Sequence, residues 1–222
     1  MSFENLTIII TTLKSHKVLI PCLKSIDNKI KILIIENSDD VNFKNEIEKD
    51  FKNVSCILTK ENIGYAKSNN LGLSKVNTKF ALILNPDTVL RKDSIYNFLK
   101  TAANYPDFTL IGPINDQEKQ HSTDYGSKKI IKVNKLKGFA IFFNMKKFKN
   151  NFFDENFFLY FEEIDLCKKV KKKGGSIYLD KNITIYHEGA ASVKKIEKIE
   201  LEKSRNWHWM WSSFYYKRKY SN

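Results

Sequence analysis

The chain has 222 residues, of which 42% are hydrophobic, and it contains 16 Phe and 10 Tyr. This composition supports a packed core and excludes a disordered or collagen-like chain. The formal net charge of +13 favours an anionic partner, such as nucleic acid, a membrane headgroup layer or a phosphorylated substrate.

The three cysteines, Cys22, Cys56 and Cys167, form no CxxC pair and cannot all be paired with one another. Reduced thiols in a cytoplasmic protein are therefore expected. A strand-like run begins almost at the first residue, which predicts that no signal peptide is present. No run of about 18 apolar residues occurs, so no membrane-spanning segment is expected.

The first half of the chain alternates buried strands with helices. Apolar runs predict strands at 6–10, 32–35, 54–58 and 80–84, and helical spacing predicts helices at 19–26, 47–51, 64–75 and 95–102. Pro21 lies inside the first helical pattern, so that helix is expected to be short, kinked or late in starting. This order predicts a single α/β domain with a mainly parallel central sheet flanked by helices. Ligands in such sheets bind beyond the carboxyl ends of the strands, where 36–40 and 85–87 lie.

The second half is less regular. The patterns predict a strand at 138–144, an aromatic-rich loop at 151–161 and a helix near 164–170 that stops at Gly174 and Gly175. Two short strands at 176–179 and 184–187 and a long helix at 196–216 are expected to follow.

Two residue types at the predicted strand ends are suited to metal binding. Asp87 closes the Asn-Pro-Asp sequence after the fourth strand, and one carboxylate with substrate phosphates can hold Mg²⁺ or Mn²⁺. A plain turn explains the same triplet, and on the triplet alone it is the better interpretation. His187 closes a late strand and is either a metal or phosphate contact or a structural histidine.

Three acidic residues, Glu162, Glu163 and Asp165, open the helix near 164–170. They either complement the helix dipole or supply a general base beside the aromatic loop. Glu162 and Glu163 point about 100° apart on a helix, so they cannot flank one glycosidic bond as a hydrolase requires. Glu36 and Asn37 follow the second strand, where an acid can bind a ribose hydroxyl, but neither a GxGxxG nor a Walker sequence is present.

The order of these motifs resembles the inverting family 2 glycosyltransferases of GT-A type, in particular their rhamnosyltransferase-like branch. The resemblance covers roughly residues 6 to 192. The matching segments are 7–12, 35–38, 62–66, 69–72, 84–88, 138–140, 153–155, 158–167 and 187–189 with Ser192.

The resemblance implies one nucleotide-diphospho-sugar transferase-like domain over 1–222. Residues 1–104 would bind the nucleotide sugar, 105–192 the acceptor, and 193–222 would form a basic, aromatic C-terminal helix. The implied donor is a dTDP-, UDP- or GDP-sugar, and the implied acceptor is a glycan or a lipid-linked glycan. The residues implied for the donor are Thr11, Glu36 (in place of the family's Asp), Asn37, Asn62, Asn70, Asn85 and Asp87.

The resemblance also assigns the metal, the base and the acceptor floor. Asp87 and His187 would hold Mg²⁺ or Mn²⁺. Glu163, in place of the family's Asp, would be the catalytic base, with Glu162 and Asp165 as alternatives. The residues implied for the acceptor floor are Gly138, Phe139 and Ala140.

Three other interpretations remain. A nucleotidyltransferase would share this type of sheet but usually has a Gly-rich loop after the first strand, and residues 11–15 contain no Gly. A non-catalytic polyanion-binding module fits the charge but not the order of motifs, so nucleic acid is not expected as a partner. An inactive transferase is the third, because Glu replaces Asp twice.

The basic residues near the end of the chain alternate with aromatic ones. Lysine and arginine clusters at 171–173, 194–195 and 217–219 accompany Trp207, Trp209, Trp211, Tyr215 and Tyr216. The pattern predicts either a solvated helix that packs its aromatic residues on the core or peripheral attachment to the anionic inner face of a membrane.

Overall fold

The computed structural model describes residues 3–117, 128–150, 152–188 and 195–221, and within helix α6 it describes the side chains from residue 202. Six helices and nine strands lie in this part of the chain. They are β1 (Leu6–Thr12), α1 (His16–Lys24), β2 (Lys31–Glu36), α2 (Val41–Asp50), β3 (Val54–Leu58), α3 (Tyr65–Ser74), β4 (Phe80–Leu84), β5 (Thr88–Leu90), α4 (Ser94–Asn104), β6 (Phe108–Asn115), β7 (Ile130–Lys132), β8 (Ala140–Asn144), α5 (Glu162–Lys172), β9 (Ser176–His187) and α6 (Lys195–Tyr220).

The strands form one mixed sheet in the order β3-β2-β1-β4-β8-β6-β9-β5, and β7 also pairs with β9. The pairs among β3, β2, β1 and β4 are parallel, as the sequence of the first half predicts. Strand β8 is antiparallel to both β4 and β6, while β6 and β9 are parallel to each other. The predicted α/β domain is therefore confirmed, and the four strands within residues 6–84 form its continuous parallel part.

The two faces of the sheet carry separate hydrophobic clusters because successive side chains of a strand point to opposite faces. Ile8 and Ile10 of β1 belong to the cluster that also contains Phe98 of α4, and Ile9 belongs to the cluster that contains Leu166 of α5. All seven residues of β1 are buried, as expected for a central parallel strand. Helices therefore cover both faces and leave the strand ends open for a site.

Two predictions about helix ends are confirmed. Helix α1 is short and contains Pro21, and its end is fixed by bonds from the Ser25 amide. Helix α5 ends at Lys172, before Gly174 with a φ of 74°. A left-handed residue after a helix is the conformation that glycine adopts most easily.

The strand predictions for the second half were incomplete. Strands β5, β6 and β7 were not predicted, and the two short strands at 176–179 and 184–187 are one strand, β9. Strand β6 contains Gly112 and Pro113, which usually argue against a strand interior. Its pairing with β9 shifts register at Pro113, so the strand accommodates the proline at an irregularity. In β9 the polar Asp180 and Asn182 resemble a turn, and Asp180 accepts a bond from the Asn182 amide at 2.9 Å.

Helix α6 packs on the aromatic loop that precedes α5. The Ser212 hydroxyl donates to the Leu159 carbonyl at 2.8 Å, and the rings of His208 and Phe158 stack at 4.6 Å. None of the described helices combines the length and the apolar content needed to cross a membrane. Gly189, Ser192 and Lys194, which the sequence motifs include, lie outside the described residues.

All three cysteines are free thiols buried in the fold. Burial raises the pKa of Cys22, Cys56 and Cys167 to about 12. A thiol that stays protonated is a poor nucleophile and a poor metal ligand, so these residues act as small apolar side chains.

Candidate active site

A cavity of about 330 Å³ lies beyond the carboxyl ends of β1 and β4. It brings together seven of the residues that the sequence predicts for the site, which come from four separate segments. They are Thr11, Asn85, Asp87, Gly138, Phe139, Glu162 and Glu163. The expectation that chemistry gathers at this edge of the sheet agrees with their placement.

His187 lies against Asp87 and Phe139, two residues that line this cavity. Nε2 of His187 lies 3.2 Å from Oδ1 of Asp87, and the imidazole stacks on the Phe139 ring at 4.9 Å. The pairing of β5 with β9 sets His187 opposite Thr88, and the Glu188 amide donates to the Asp87 carbonyl at 3.2 Å. Backbone contacts therefore hold the carboxylate and the imidazole together.

The donor set at Asp87 and His187 fits a divalent metal that a substrate helps to hold. A carboxylate oxygen and an imidazole nitrogen are ligands that Mn²⁺ accepts, and both side chains are partly exposed. Within the described residues no group of three or more His, Cys, Asp or Glu is arranged to hold a metal. Phosphate oxygens would therefore have to complete the coordination.

Glu162 and Glu163 reach the cavity from the first turn of α5. Tyr160 and Phe161 directly before them have φ values of 70° and 69°, so two left-handed residues turn the chain into the helix. Such strain is held only where the surroundings determine it, and it often occurs at functional sites. The Phe158 carbonyl accepts from the Tyr65 amide at 2.8 Å, which fixes this turn to the start of α3.

The two glutamates differ in their surroundings. Glu162 is buried, and burial together with the charge of Glu163 raises its pKa to about 8. Glu163 is less buried, and desolvation also raises its pKa. It lies beside Gly138, where an added Cβ would be 3.5 Å from Cγ of Glu163. Glu162 is therefore the acid that retains its proton at neutral pH, and Glu163 is the more accessible carboxyl group.

Two buried oxygens in the cavity wall have no hydrogen-bond partner in the described part of the chain. They are Oγ1 of Thr11 and Oε2 of Glu162. Buried polar atoms are nearly always paired, so such atoms indicate a place where a polar ligand or water binds. Both atoms belong to residues that line the same cavity.

Tyr65 is a site residue that the sequence analysis named only as part of a motif. Its hydroxyl lies 3.1 Å from Oδ1 of Asn85 and 3.0 Å from the Gly138 carbonyl oxygen. Burial, and then the charges of Glu162 and Glu163, raise the pKa of Tyr65, so the phenol remains a neutral donor. It joins the loop after β4 to the predicted acceptor floor.

Arg205 of α6 also lines the cavity, although no sequence pattern predicted it as a site residue. It lies beyond every motif that carries the family resemblance. Its guanidinium group adds a positive charge to a wall that contains Asp87, Glu162 and Glu163. Arginine presents several donors in a planar fork and suits phosphate or carboxylate groups.

Glu36 and Asn37 lie behind the cavity wall and hold its loops. Glu36 accepts from the hydroxyls of Thr12 at 2.5 Å and Ser38 at 2.8 Å. Oδ1 of Asn37 accepts from the Ser68 hydroxyl at 2.7 Å. Neither residue lines the cavity, so any effect on a ligand there passes through Thr12 and the loop after β2.

Four other predicted residues also lie outside the lining. Oδ1 of Asn62 accepts from the Gly64 amide at 3.1 Å, and Asn70 joins α3 to Phe153 with bonds of 3.0 and 2.9 Å. Ala140 is buried in β8 opposite Leu84. Asp165, the alternative base, is fully buried and accepts from Lys219 at 2.6 Å and Tyr220 at 2.7 Å, so its carboxylate is not available to an acceptor hydroxyl.

A larger cavity, of about 540 Å³, lies at the other end of α5. It contains none of the predicted site residues. Its wall includes Lys146, Lys147, Lys149, Lys169 and Lys173. The smaller cavity is the candidate active site because the predicted residues converge there.

Comparison with known proteins identifies related families and folds. The family model for glycosyl transferase family 2 matches residues 7–167. The low-salt glycan biosynthesis hexosyltransferase Agl10 of Haloferax volcanii is 24% identical over 199 residues, which cover 78% of this chain. The chain spans 64% of that relative, which is less than two thirds of its length.

Two solved structures show the same fold. GalNAc-T7, crystallised with UDP, GalNAc and Mn²⁺, has a TM-score of 0.69 at 10% identity, over 82% of this chain and 43% of that one. The mannosyltransferase PcManGT of Pyrobaculum calidifontis, with GDP-Man and Mn²⁺, has a TM-score of 0.69 at 12% identity, over 86% and 57%. These likenesses confirm the predicted GT-A type fold.

Proposed function

We propose that this chain, which belongs to glycosyl transferase family 2, transfers a sugar from a nucleoside-diphosphate sugar to an acceptor hydroxyl. The observation that carries the proposal is the 330 Å³ cavity, which is lined by both Asp87 and Glu163. His187 lies against Asp87. The relative from Haloferax volcanii is named a hexosyltransferase of glycan biosynthesis. A hexose or deoxyhexose donor and a glycan or lipid-linked glycan acceptor fit that likeness, and the rhamnosyltransferase-like branch stays a prediction.

The donor would occupy the part of the cavity next to β1 and β4. The unpartnered hydroxyl oxygen of Thr11 would accept or donate a hydrogen bond there. Glu36, Asn37, Asn62 and Asn70 would act indirectly, because their hydrogen bonds hold the loops around the nucleotide. Asn85 would orient the site through Tyr65 and the Phe139 carbonyl, to which its amide donates at 2.9 Å.

Asp87 and His187 would hold Mg²⁺ or Mn²⁺ together with the donor's phosphates. When bound, the metal would neutralise the negative charge that develops on the departing diphosphate. Arg205 brings a second positive charge to the same cavity from α6. A diphosphate would therefore be favoured there despite the nearby carboxyl groups.

Glu163 would act as the general base. It would accept the proton of the acceptor hydroxyl while that oxygen forms a bond to the anomeric carbon and the bond to the diphosphate breaks. One displacement inverts the anomeric carbon and leaves no covalent intermediate. Glu162 would remain protonated, so no second negative charge would lie beside the base. Two neighbouring acids can take different protonation states when their surroundings differ.

We also propose that the reaction takes place at an anionic membrane surface, where a lipid-linked acceptor would be presented. The net charge of +13 supports this location. Such attachment would be peripheral.

A panel of UDP-, GDP- and dTDP-sugars tests the function, with and without Mn²⁺. We expect at least one donor to raise the melting temperature of the wild type in a Mn²⁺-dependent way and to release its nucleoside diphosphate slowly. The Asp87→Asn variant should lose the Mn²⁺ dependence, whereas Asp39→Asn, an exposed carboxylate on the loop after β2, should retain it. A wild type that neither binds nor turns over any donor would contradict the proposal.

A further inference from the structure

Helix α6 carries a row of large apolar side chains that face solvent. Trp207, Met210, Trp211 and Phe214 recur at the i, i+3, i+4, i+7 spacing of one helix face. Their exposed fractions are 61%, 56%, 53% and 61%. Elsewhere in the described chain exposed large apolar residues are scattered singly, so this row is the exception.

The opposite face of α6 is firmly attached to the rest of the protein. Ser212 is buried and bonds to Leu159, and Lys219 makes 2.6 Å ion pairs with Asp154 and Asp165. The Tyr215 ring meets the Phe157 ring at 4.9 Å. The exposed row therefore lies on the outer face of a helix that is packed against the rest of the protein. Its exposure is not explained by a helix that lacks tertiary contacts.

The charged side chains that α6 carries from residue 203 onward are all positive. From residue 203 to the last residue the sequence contains no Asp or Glu. Helical spacing places Lys203, Lys217 and Arg218 beside the apolar row, and all three are exposed. Lys168 and Lys172 of α5 extend this charge, because their ammonium groups lie 3.7 and 4.9 Å from the Tyr220 ring centroid.

We propose that this surface binds directly to an anionic lipid bilayer. The docking face of α6 is defined by Trp207, Met210, Trp211 and Phe214 together with Lys203, Lys217 and Arg218. Interfacial helices bury an apolar face at the level of the headgroups and keep basic residues beside anionic lipids. Tryptophan is the residue type that membrane interfaces favour most clearly, together with tyrosine.

Charge complementarity favours a lipid surface over a second copy of the chain. Two copies that joined through this face would bring Lys203, Lys217 and Arg218 of each close to the same cations of the other. Like charges placed opposite one another in an interface are unfavourable. An anionic leaflet presents the opposite charge to all three.

The docking face and the candidate active site share one helix. Arg205 lies on the other side of α6 and lines the cavity, and Leu159, which Ser212 holds, lines it too. A protein docked through α6 would therefore hold its cavity close to the bilayer. This consequence rests on the proposed function, since it presents a lipid-linked acceptor to Glu163; the lipid binding itself does not.

Co-sedimentation with vesicles tests the proposal without any donor or acceptor. We expect the wild type to bind phosphatidylcholine vesicles that contain phosphatidylglycerol, and to bind pure phosphatidylcholine vesicles far less. The triple variant Trp207→Ser, Trp211→Ser, Phe214→Ser should lose binding to both. Lys203→Glu, Lys217→Glu, Arg218→Glu should weaken binding to the anionic vesicles by at least roughly 100-fold, since each basic residue contributes about fivefold.

The matched control is the pair Val41→Ser and Tyr96→Ser, two exposed apolar residues away from α6, which should leave vesicle binding unchanged. If the apolar variant does not fold, the charge variant decides. Equal binding of wild type and charge variant to anionic vesicles would overturn the proposal. So would a dimer that the apolar variant abolishes while no vesicle binding occurs, because the occupant would then be a second copy.

A donor-binding measurement on the same variants separates this proposal from the proposed function. Mn²⁺-dependent donor binding should be the same in the wild type and the docking-face variants, because none of these side chains lines the cavity. Vesicle binding without donor binding would support the proposal for the docking face and contradict only the proposed sugar transfer.

Discussion

Nε2 of His187 lies 3.2 Å from Oδ1 of Asp87, so the last residue of β9 contacts the loop that follows β4. The imidazole is also held flat against Phe139. These contacts fix the position of the ring before any ligand binds.

The His187→Gln variant should therefore lose Mn²⁺-dependent donor binding by at least about tenfold. Binding in the absence of metal should change little, since the ring is not among the cavity-lining groups. Titration calorimetry with the best donor, with and without Mn²⁺, measures both. His16→Gln is the control, since the His16 ring packs on Phe43 and does not line the cavity. An unchanged Mn²⁺ dependence would exclude His187 as a ligand.

Glu163→Gln should lower turnover by at least about 100-fold while donor affinity stays close to that of the wild type. Glutamine keeps the shape of the side chain but cannot accept the acceptor's proton. Glu162→Gln should cost much less, because Glu162 already carries a proton at neutral pH. Single-turnover kinetics at saturating donor compares the two variants. The reverse order of losses would make Glu162 the base.

The pKa of Glu162 also predicts a pH dependence of stability. Because its pKa rises from 4.5 to about 8 on folding, the folded state binds more protons than the unfolded state between these values. Glu162 therefore contributes stability below about pH 4.5 that is lost as the pH rises through about 8. Urea unfolding across this range should show a smaller loss for Glu162→Gln than for the wild type. Parallel curves for the two proteins would show that Glu162 titrates normally.

Gly64→Ala should destabilise the protein more than Gly174→Ala. Both residues have positive φ, 83° and 74°, so each substitution costs about 1 kcal/mol in backbone conformation. At Gly64 the new Cβ would also lie 2.7 Å from the Phe158 carbonyl oxygen, whereas at Gly174 nothing lies within 4 Å. The clash should at least double the cost at Gly64. Equal unfolding free energies of the two variants would mean that the turn before α5 can move to relieve the clash.

Lys219→Met should cost about 3 kcal/mol of unfolding free energy, because it removes the nearer of the two cations that pair with the buried carboxylate of Asp165. Lys217→Met on the exposed side of the same helix should change the free energy by no more than about 0.5 kcal/mol. Chemical denaturation measures both. A small loss for Lys219→Met would indicate that Tyr220 and Lys169 suffice to hold Asp165.

The parts of the fold that were predicted correctly are those where one physical signal dominates. Continuous apolar runs identified the four parallel strands, of which β1, β2 and β4 are buried on both faces and β3 is a partly buried edge strand. Strand β6 was missed because Gly112 and Pro113 interrupt its pattern, and its pairing tolerates them only through a shift of register. The residues of β6 alone do not reveal that β9 will be its pairing strand.

The same limit applies to the site. Asp87 and Glu163 were predicted as site residues from the order of motifs that carries the family resemblance, because neither residue is distinctive when taken alone. Tyr65 and Arg205 were not identified as cavity residues, because their roles depend on how α3 and α6 pack against the rest of the protein. Asp165 was placed among the alternative bases because the sequence does not reveal its ion pair with Lys219.

The contribution of Arg205 to the cavity has a consequence for the order in which the protein matures during synthesis. Every other wall residue has been translated by the end of the turn before α5 and the first residues of that helix. The pocket nevertheless stays open on one side until translation has passed residue 205 and α6 can fold back. A nascent chain arrested before that point should therefore carry both glutamates yet hold a nucleotide poorly.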